Sequence, residues 1–129
     1  MPQPLIVTAA IIRKNGKVLI TKRPPGSRDA GKWEFPGGKL EANESPEECL
    51  RRELMEELNL PVTIDRIVQV LHHQYNWGAV LLLFYECTPL SEHIENIEVA
   101  EHKFVAPEDL VEFEILEADR PLIPVLIGS

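Results

Sequence analysis

Glu44, Arg52, Glu53, Glu56 and Glu57 crowd into the run from Gly38 to Leu60, GKLEANESPEECLRRELMEELNL. Carboxylates gathered in this way serve one of two purposes. They form the solvated face of an acidic helix, or they collect oxygen ligands for a hard divalent cation, Mg²⁺ or Mn²⁺, that in turn holds a phosphate. Acidic helices are common, so charge pattern alone favours the first. The flanking residues favour the second. Gly37-Gly38 lets backbone approach a ligand closely, and Glu44 offers a carboxylate on the loop ahead of the helix. Like charges at i,i+4 repel, and either Arg52 or a bound metal would offset that repulsion.

The element that must position these groups is a helix from Pro46 to about Leu58. Ser45 is a good N-cap, Pro46 suits the first helical position, and Glu48 completes a capping box. Asn59 tolerates the left-handed conformation that ends a helix, and Pro61 prevents continuation. On a helical wheel Leu50, Leu54 and Leu58 make one apolar stripe. Glu53, Glu56 and Glu57 are expected on a second stripe, offset by roughly a right angle, where they border the core and are partly sheltered. Cys49 falls in the same sector and leaves room.

Around that helix the chain reads as strands. Leu5 to Arg13 and Lys17 to Lys22 flank Asn15-Gly16, the strongest short hairpin signal. Arg23 to Lys32 is a loop, and Trp33-Glu34-Phe35 a short strand stopping at Pro36 and Gly37-Gly38. Val62 to Leu71, Ala79 to Glu86 and Val99 to Val105 read as further strands, Pro107 to Leu110 as a helical turn. Ala118 to Ile127 reads as a last helix that Pro121 and Pro124 strain. One mixed α/β domain over residues 1–129 is expected.

Composition narrows the chemistry. A net charge of −8 argues against a nucleic-acid polymer as partner but allows a nucleotide reached through metal ions. No apolar run approaches the roughly 18 residues of a membrane span. The N-terminus reads as a strand instead of a signal peptide, and Cys49 and Cys87 form neither a disulfide framework nor a zinc cluster. A cytoplasmic location is expected, without a membrane partner. The oligomeric state, monomer or homodimer, is not legible.

The spacing glycine, five residues, glutamate, seven residues, Arg-Glu, aliphatic, any residue, Glu-Glu, any residue, glycine, aliphatic is that of the Nudix box. Here it runs through Gly38, Glu44, Arg52, Glu53, Leu54, Glu56, Glu57, Asn59 and Leu60, departing only at Asn59, where the family usually has glycine. The chain thus resembles the Nudix hydrolases. The stretches Ile20 to Arg23, Trp33 to Lys39 and Ala118 to Pro121 resemble the MutT-like branch, the nucleotide-pool pyrophosphohydrolases. The resemblance implies an α/β (α+β) fold, a mixed β-sheet sandwiched between helices. It implies Mg²⁺ or Mn²⁺ held by Glu53, Glu56, Glu57 and the Gly38 carbonyl, with Arg52 orienting a glutamate and one of the glutamates, Glu44 included, acting as base. A later-loop ligand is expected from Glu98 or Glu101. Arg23 and Lys39 would lie near phosphate, and Glu34 and Phe35 would line the nucleoside pocket. Tyr75 and Trp77 would stack on a base or anchor their loop, and His72-His73 is expected to be structural.

Asp119 bears on the substrate. Relatives acting on 8-oxo-dGTP tend to carry asparagine here, whereas an ionised aspartate only accepts hydrogen bonds. An acceptor suits an exocyclic amino group, N4 of cytosine or N2 of guanine. The alternative reading of Asp119 is a plain helix cap. The expected activity is cleavage of a nucleoside triphosphate to the monophosphate and pyrophosphate, with 8-oxo-dGTP favoured. CTP or a modified dCTP is the alternative. Hydrolysis of ADP-ribose or a dinucleotide is less expected, and a non-catalytic nucleotide-binding module least.

Overall fold

The computed structural model describes residues 3–129. Its spine is β1 (Leu5–Lys14), which turns through Asn15 and Gly16, both at positive φ, into β2 (Lys17–Lys22). Two short strands follow, β3 (Trp33–Glu34) and β4 (Gly37–Lys39), and then helix α1 (Pro46–Leu58). Strands β5 (Val62–Tyr75) and β6 (Gly78–Pro89) form a long hairpin, β7 (Glu101–Val105) returns to β2, and α2 (Leu122–Ile127) closes the chain. The sheet order is β3-β2-β1-β6-β5, with β4 paired to β1 and β7 to β2. Among the described strands β1 and β6 pair in parallel, from Leu5 beside Val80 to Ile12 beside Cys87, and the other strand pairs are antiparallel.

The run Ala9-Ala10-Ile11-Ile12 is apolar without alternation because both faces of β1 are covered, as expected of a central strand. Ala10 and Ile12 face the α1 leucines, whereas Ala9 and Ile11 face Phe84, Leu122 and Ile123 on the other side. The sheet therefore lies between α1 on one face and the C-terminal turns with α2 on the other. Ser45 and Glu48 form the expected reciprocal cap, and Asn59 sits at φ 50° and ψ 41° with its N–H on the last turn.

Several boundaries differ from the sequence reading. Gly37–Lys39, read as the end of a strand, is a strand of its own against Val7–Ala9. Glycine is needed there because a Cβ on Gly37 would stand 2.0 Å from the Thr8 carbonyl oxygen. Strands β5 and β6 run on to a two-residue turn at Asn76-Trp77, with Tyr75 opposite Gly78. Strand β7 begins at Glu101 instead of Val99. The last helix is broken into a 3₁₀ turn (Glu117–Asp119) and α2. Pro121 has no N–H to donate within a helix and stands at the start of the second piece.

Candidate active site

A cleft of about 910 Å³ opens over β1 and β6, with Gly38, Glu53, Glu57 and Glu98 at one end and Phe35, Tyr75, Trp77 and Asp119 at the other. Helix α1 brings Glu53 and Glu57 to it, and β4 lies directly beneath. A Cβ on Gly38 would stand 2.2 Å from the Glu53 carboxyl carbon, so glycine here makes room for that side chain. The Gly38 carbonyl accepts from the Thr8 hydroxyl at 3.3 Å and the Cys49 thiol at 3.6 Å. The sequence reading passed over Thr8, a lone hydroxyl in an apolar strand, which is fully buried here.

Arg52 organises the carboxylates. It donates two bonds to Glu44, at 3.1 and 2.8 Å, one to Glu53 at 2.9 Å and one to Glu56 at 3.1 Å. Glu44, one of the expected bases, is thereby assigned differently. Arg52, with help from the Glu41 N–H, holds its carboxyl down to about 2, and a group that weakly basic takes up few protons near neutrality. Glu57 is the opposite case. Burial and the neighbouring Glu53 push its pKa far up, with Glu34 and Glu98 adding to the shift. A crowded, protonated carboxyl is the signature of an oxygen donor set short of positive charge. Such a set fits a hard divalent cation. Among the described residues no three such side chains already converge as a metal cage, and Arg52 draws the Glu53 oxygen to itself.

Two of the expected metal ligands, Glu56 and Glu101, lie off the cleft. Glu56 is exposed, its side chain at 47%, and it pairs only with Arg52. At about 100° per residue Glu56 stands roughly 160° from the leucine stripe, whereas Glu57 stands roughly 60° from it; the single sheltered stripe expected for all three glutamates averages over that difference. Glu101 points to Lys103 at 3.7 Å with 43% of its side chain exposed. Glu98 reaches the cleft instead. The Ile97 and Glu98 N–H groups donate to the Glu57 carbonyl and that of Glu95 to the Leu58 carbonyl, so the unsatisfied end of α1 draws in the β6–β7 loop.

At the other end Arg23 donates to both oxygens of Glu34, at 3.2 and 3.1 Å. Burial raises the Glu34 pKa and Arg23 opposes the shift. Lys39 lines the cleft as well. Phe35 does two jobs: it packs edge-on against Phe84 in the core, and its N–H donates to Asp119 Oδ2 at 3.1 Å. Asp119, only 4% exposed, does not cap α2. Burial, then the charge of Glu34, lifts its pKa to about 8, against the Phe35 N–H. The sequence reading considered the ionised, acceptor-only form; with its pKa raised to about 8 the carboxyl favours the protonated form near neutrality, which can donate as well as accept. Tyr75 stacks on Trp77 at 5.2 Å with ring planes 8° apart, and Tyr75 meets His73 edge-on at 4.4 Å. Arg28, which no sequence signal singled out, lies over the Trp77 ring at 5.2 Å.

A mixed sheet carrying a loop–helix unit that presents carboxylates to a nucleotide-sized cleft defines a hydrolase of the α+β class. The chain belongs to the Nudix family, whose NUDIX domain model matches residues 2–126. It is 36% identical over 125 residues to a CTP pyrophosphohydrolase of Escherichia coli (strain K12), covering 95% of this chain and 90% of that protein. It is 41% identical over 83 residues to an 8-oxo-dGTP diphosphatase of Proteus vulgaris, covering 64% and 74%. Among solved structures, the solution structure of the E. coli ORF135 protein matches with a TM-score of 0.80 and 31% identity, covering 98% of this chain and 90% of that one. A MutT protein from Methanosarcina mazei Go1 shares the fold with a TM-score of 0.88, covering 99% and 96% at 24% identity. Hydrolases of this family generally need a divalent metal. No helix among the described residues is long and apolar enough to cross a membrane.

Proposed function

We propose that the protein hydrolyses nucleoside triphosphates to the monophosphate and pyrophosphate with Mg²⁺ or Mn²⁺. The observation that carries this reading is one continuous cleft joining Glu53, Glu57 and Glu98 to Phe35 and Asp119. Its volume suits a nucleotide-sized ligand. Glu53, Glu57 and Glu98 would hold the ion. When bound, it would neutralise phosphate charge, polarise the reacting P–O bond and lower the pKa of its water. Arg52 holds the Glu53 side chain in place, and Glu57 would have to give up its proton to serve as a ligand. Of the glutamates proposed as base, Glu53 and Glu57 line the cleft, which supports them over Glu44. Lys39, beside Gly38, is placed to meet phosphate charge, and Arg23 can reach it only by sharing its hold on Glu34.

For the base, two readings have support. Protonated Asp119 offers the donor and acceptor that asparagine offers in 8-oxo-dGTP relatives, which favours an oxidised guanine at neutral pH. The relative matched over 95% of this chain is named for CTP, and ionised Asp119 would accept from the cytosine amino group. The deciding experiment compares kcat/KM with Mg²⁺ for normal and oxidised triphosphates, ADP-ribose and NADH. Activity confined to the last two would sink the triphosphate reading.

A further inference from the structure

Trp77 is half exposed at the tip of the β5–β6 hairpin, the usual condition of a ring waiting for a base. Its ring is nevertheless engaged. Tyr75 stacks on it and the Arg28 guanidinium lies over it. Arg28 belongs to a different loop, the Arg23–Lys32 connection between β2 and β3, and both residues line the cleft. The contact therefore joins two loops across the mouth of the nucleoside end.

That loop is built to present Arg28. The Arg23 N–H donates to the Lys32 carbonyl and the Gly31 N–H to the Arg23 carbonyl, closing the loop's neck. Ser27 caps the Pro24 carbonyl at 2.6 Å. Arg23 Nε donates to the Arg28 carbonyl while its Nη1 pairs with Glu34, so one guanidinium fixes both the pocket carboxylate and the Arg28 backbone. The adjacent Asp29 pairs with Lys32 at 3.6 Å and leaves Arg28 to the indole. On the facing side the His73, Tyr75 and Trp77 rings brace one another.

We propose that Arg28 is a positioning residue that clasps Trp77 across the cleft and retains the nucleotide, and that Trp77 serves as the clasp's other half and not as a base-stacking wall. The inference rests on the nucleotide-hydrolase reading above. A cation on an indole face is the strongest of the side-chain cation–π pairs, and its worth grows when closure excludes water. A clasp of this kind slows dissociation far more than it alters the chemical step.

The test is a double-mutant cycle with 8-oxo-dGTP and CTP as substrates, on Arg28→Ala, Trp77→Leu and the double variant, with Arg28→Lys as the conservative change. Each single variant is expected to raise KM about three- to tenfold, with a smaller fall in kcat and a melting temperature within about 2 °C. The double variant should be no worse than either single, and Arg28→Lys should recover part of the loss. Multiplying KM effects, or a KM that Arg28→Ala leaves unchanged or lowers, overturn the clasp; the last is what a base-stacking Trp77 would produce. A second arm needs no substrate. Trp33 is buried in the core, so acrylamide quenching of the native fluorescence reports chiefly on Trp77. Arg28→Ala should increase that quenching, and no increase refutes the contact. If no triphosphate of the wider panel is turned over, the triphosphate reading falls, and the quenching arm still decides whether Arg28 covers Trp77.

Discussion

At the acidic end of the cleft, Gly38, Glu53 and Glu57 come from one strand–loop–helix stretch, and only Glu98 arrives from elsewhere. At the nucleoside end, the bond between Phe35 and Asp119 spans 84 positions, and Arg28 meets Trp77 from a separate loop. The first end is a local device, its geometry set by helix pitch and one glycine contact. The second exists only after the sheet has assembled. Substitutions should therefore act on chemistry at one end, and on retention and choice of base at the other.

The sharpest way to break that division is at the glutamates. Glu53→Gln and Glu57→Gln are each expected to cut pyrophosphate release about 10²–10⁴-fold at saturating Mg²⁺, with KM for the nucleotide little changed. Glu56→Gln, which removes only an exposed partner of Arg52, should cost far less. Equal losses at all three positions would mean that Glu56 turns inward when metal binds. The two glycines of β4 sharpen the point next. Gly38→Ala places a methyl against the Glu53 carboxylate, which can move, so activity should fall about 10²-fold in a folded protein. Gly37→Ala meets the Thr8 carbonyl, which cannot move, and should destabilise the fold by about 1–3 kcal/mol in denaturant titration. Reversed outcomes would contradict the placement of the Glu53 side chain.

The same contrast accounts for what could be read from the sequence. The run from Ser45 to Asn59 is governed by local rules, a capping box, a leucine stripe and a left-handed stop, and its boundaries match the helix observed. Glu56 was misplaced because a wheel averaged over three glutamates hides roughly 100° between neighbours. Glu98 and Glu101 could not be separated, since the choice depends on backbone bonds from residues 95, 97 and 98 to the end of α1. The state of Asp119 was out of reach for the same reason: its pKa follows from burial against elements far away in the chain. Arg28 left no trace, because a lone arginine in a Pro- and Gly-rich loop has no periodicity to betray its partner.

Asp119 yields a prediction with a definite sign. Its pKa rises from 3.8 in the unfolded chain to about 8 in the folded one, so the folded state holds a proton that the unfolded state has lost. The stability linked to this group is full below pH 3.8 and is lost as pH rises towards about 8, then stays level. Asp119→Asn still accepts from Phe35 and cannot ionise, so its melting temperature should lack that slope and exceed the wild-type value at pH 8 and above. The preference for 8-oxo-dGTP over CTP should fall about tenfold in the wild type between pH 6 and 9 as the donor is lost, and stay flat in Asp119→Asn. Parallel profiles in the two proteins would remove Asp119 from base recognition and leave it a buried bracket for Phe35.

Asn59 should give the smallest effect and tests whether the acidic end is as local as it looks. In the left-handed conformation glycine would serve the helix stop at least as well, which is why its replacement of the family's usual residue disturbs nothing in α1. The side chain does more than a glycine could, however, because its amide donates to Glu95. Glu95 begins the segment that the end of α1 draws in and that carries Glu98 to the cleft. Asn59→Gly trades relief at φ 50° against this tie, so net stability should change by less than about 0.5 kcal/mol. If backbone bonds to Glu57 and Leu58 suffice to place Glu98, kcat/KM should fall less than about threefold. A loss approaching that of Glu98→Gln would show instead that a side chain outside the cleft sets the third carboxylate of this end, and that the acidic end too depends on a contact made only in the folded chain.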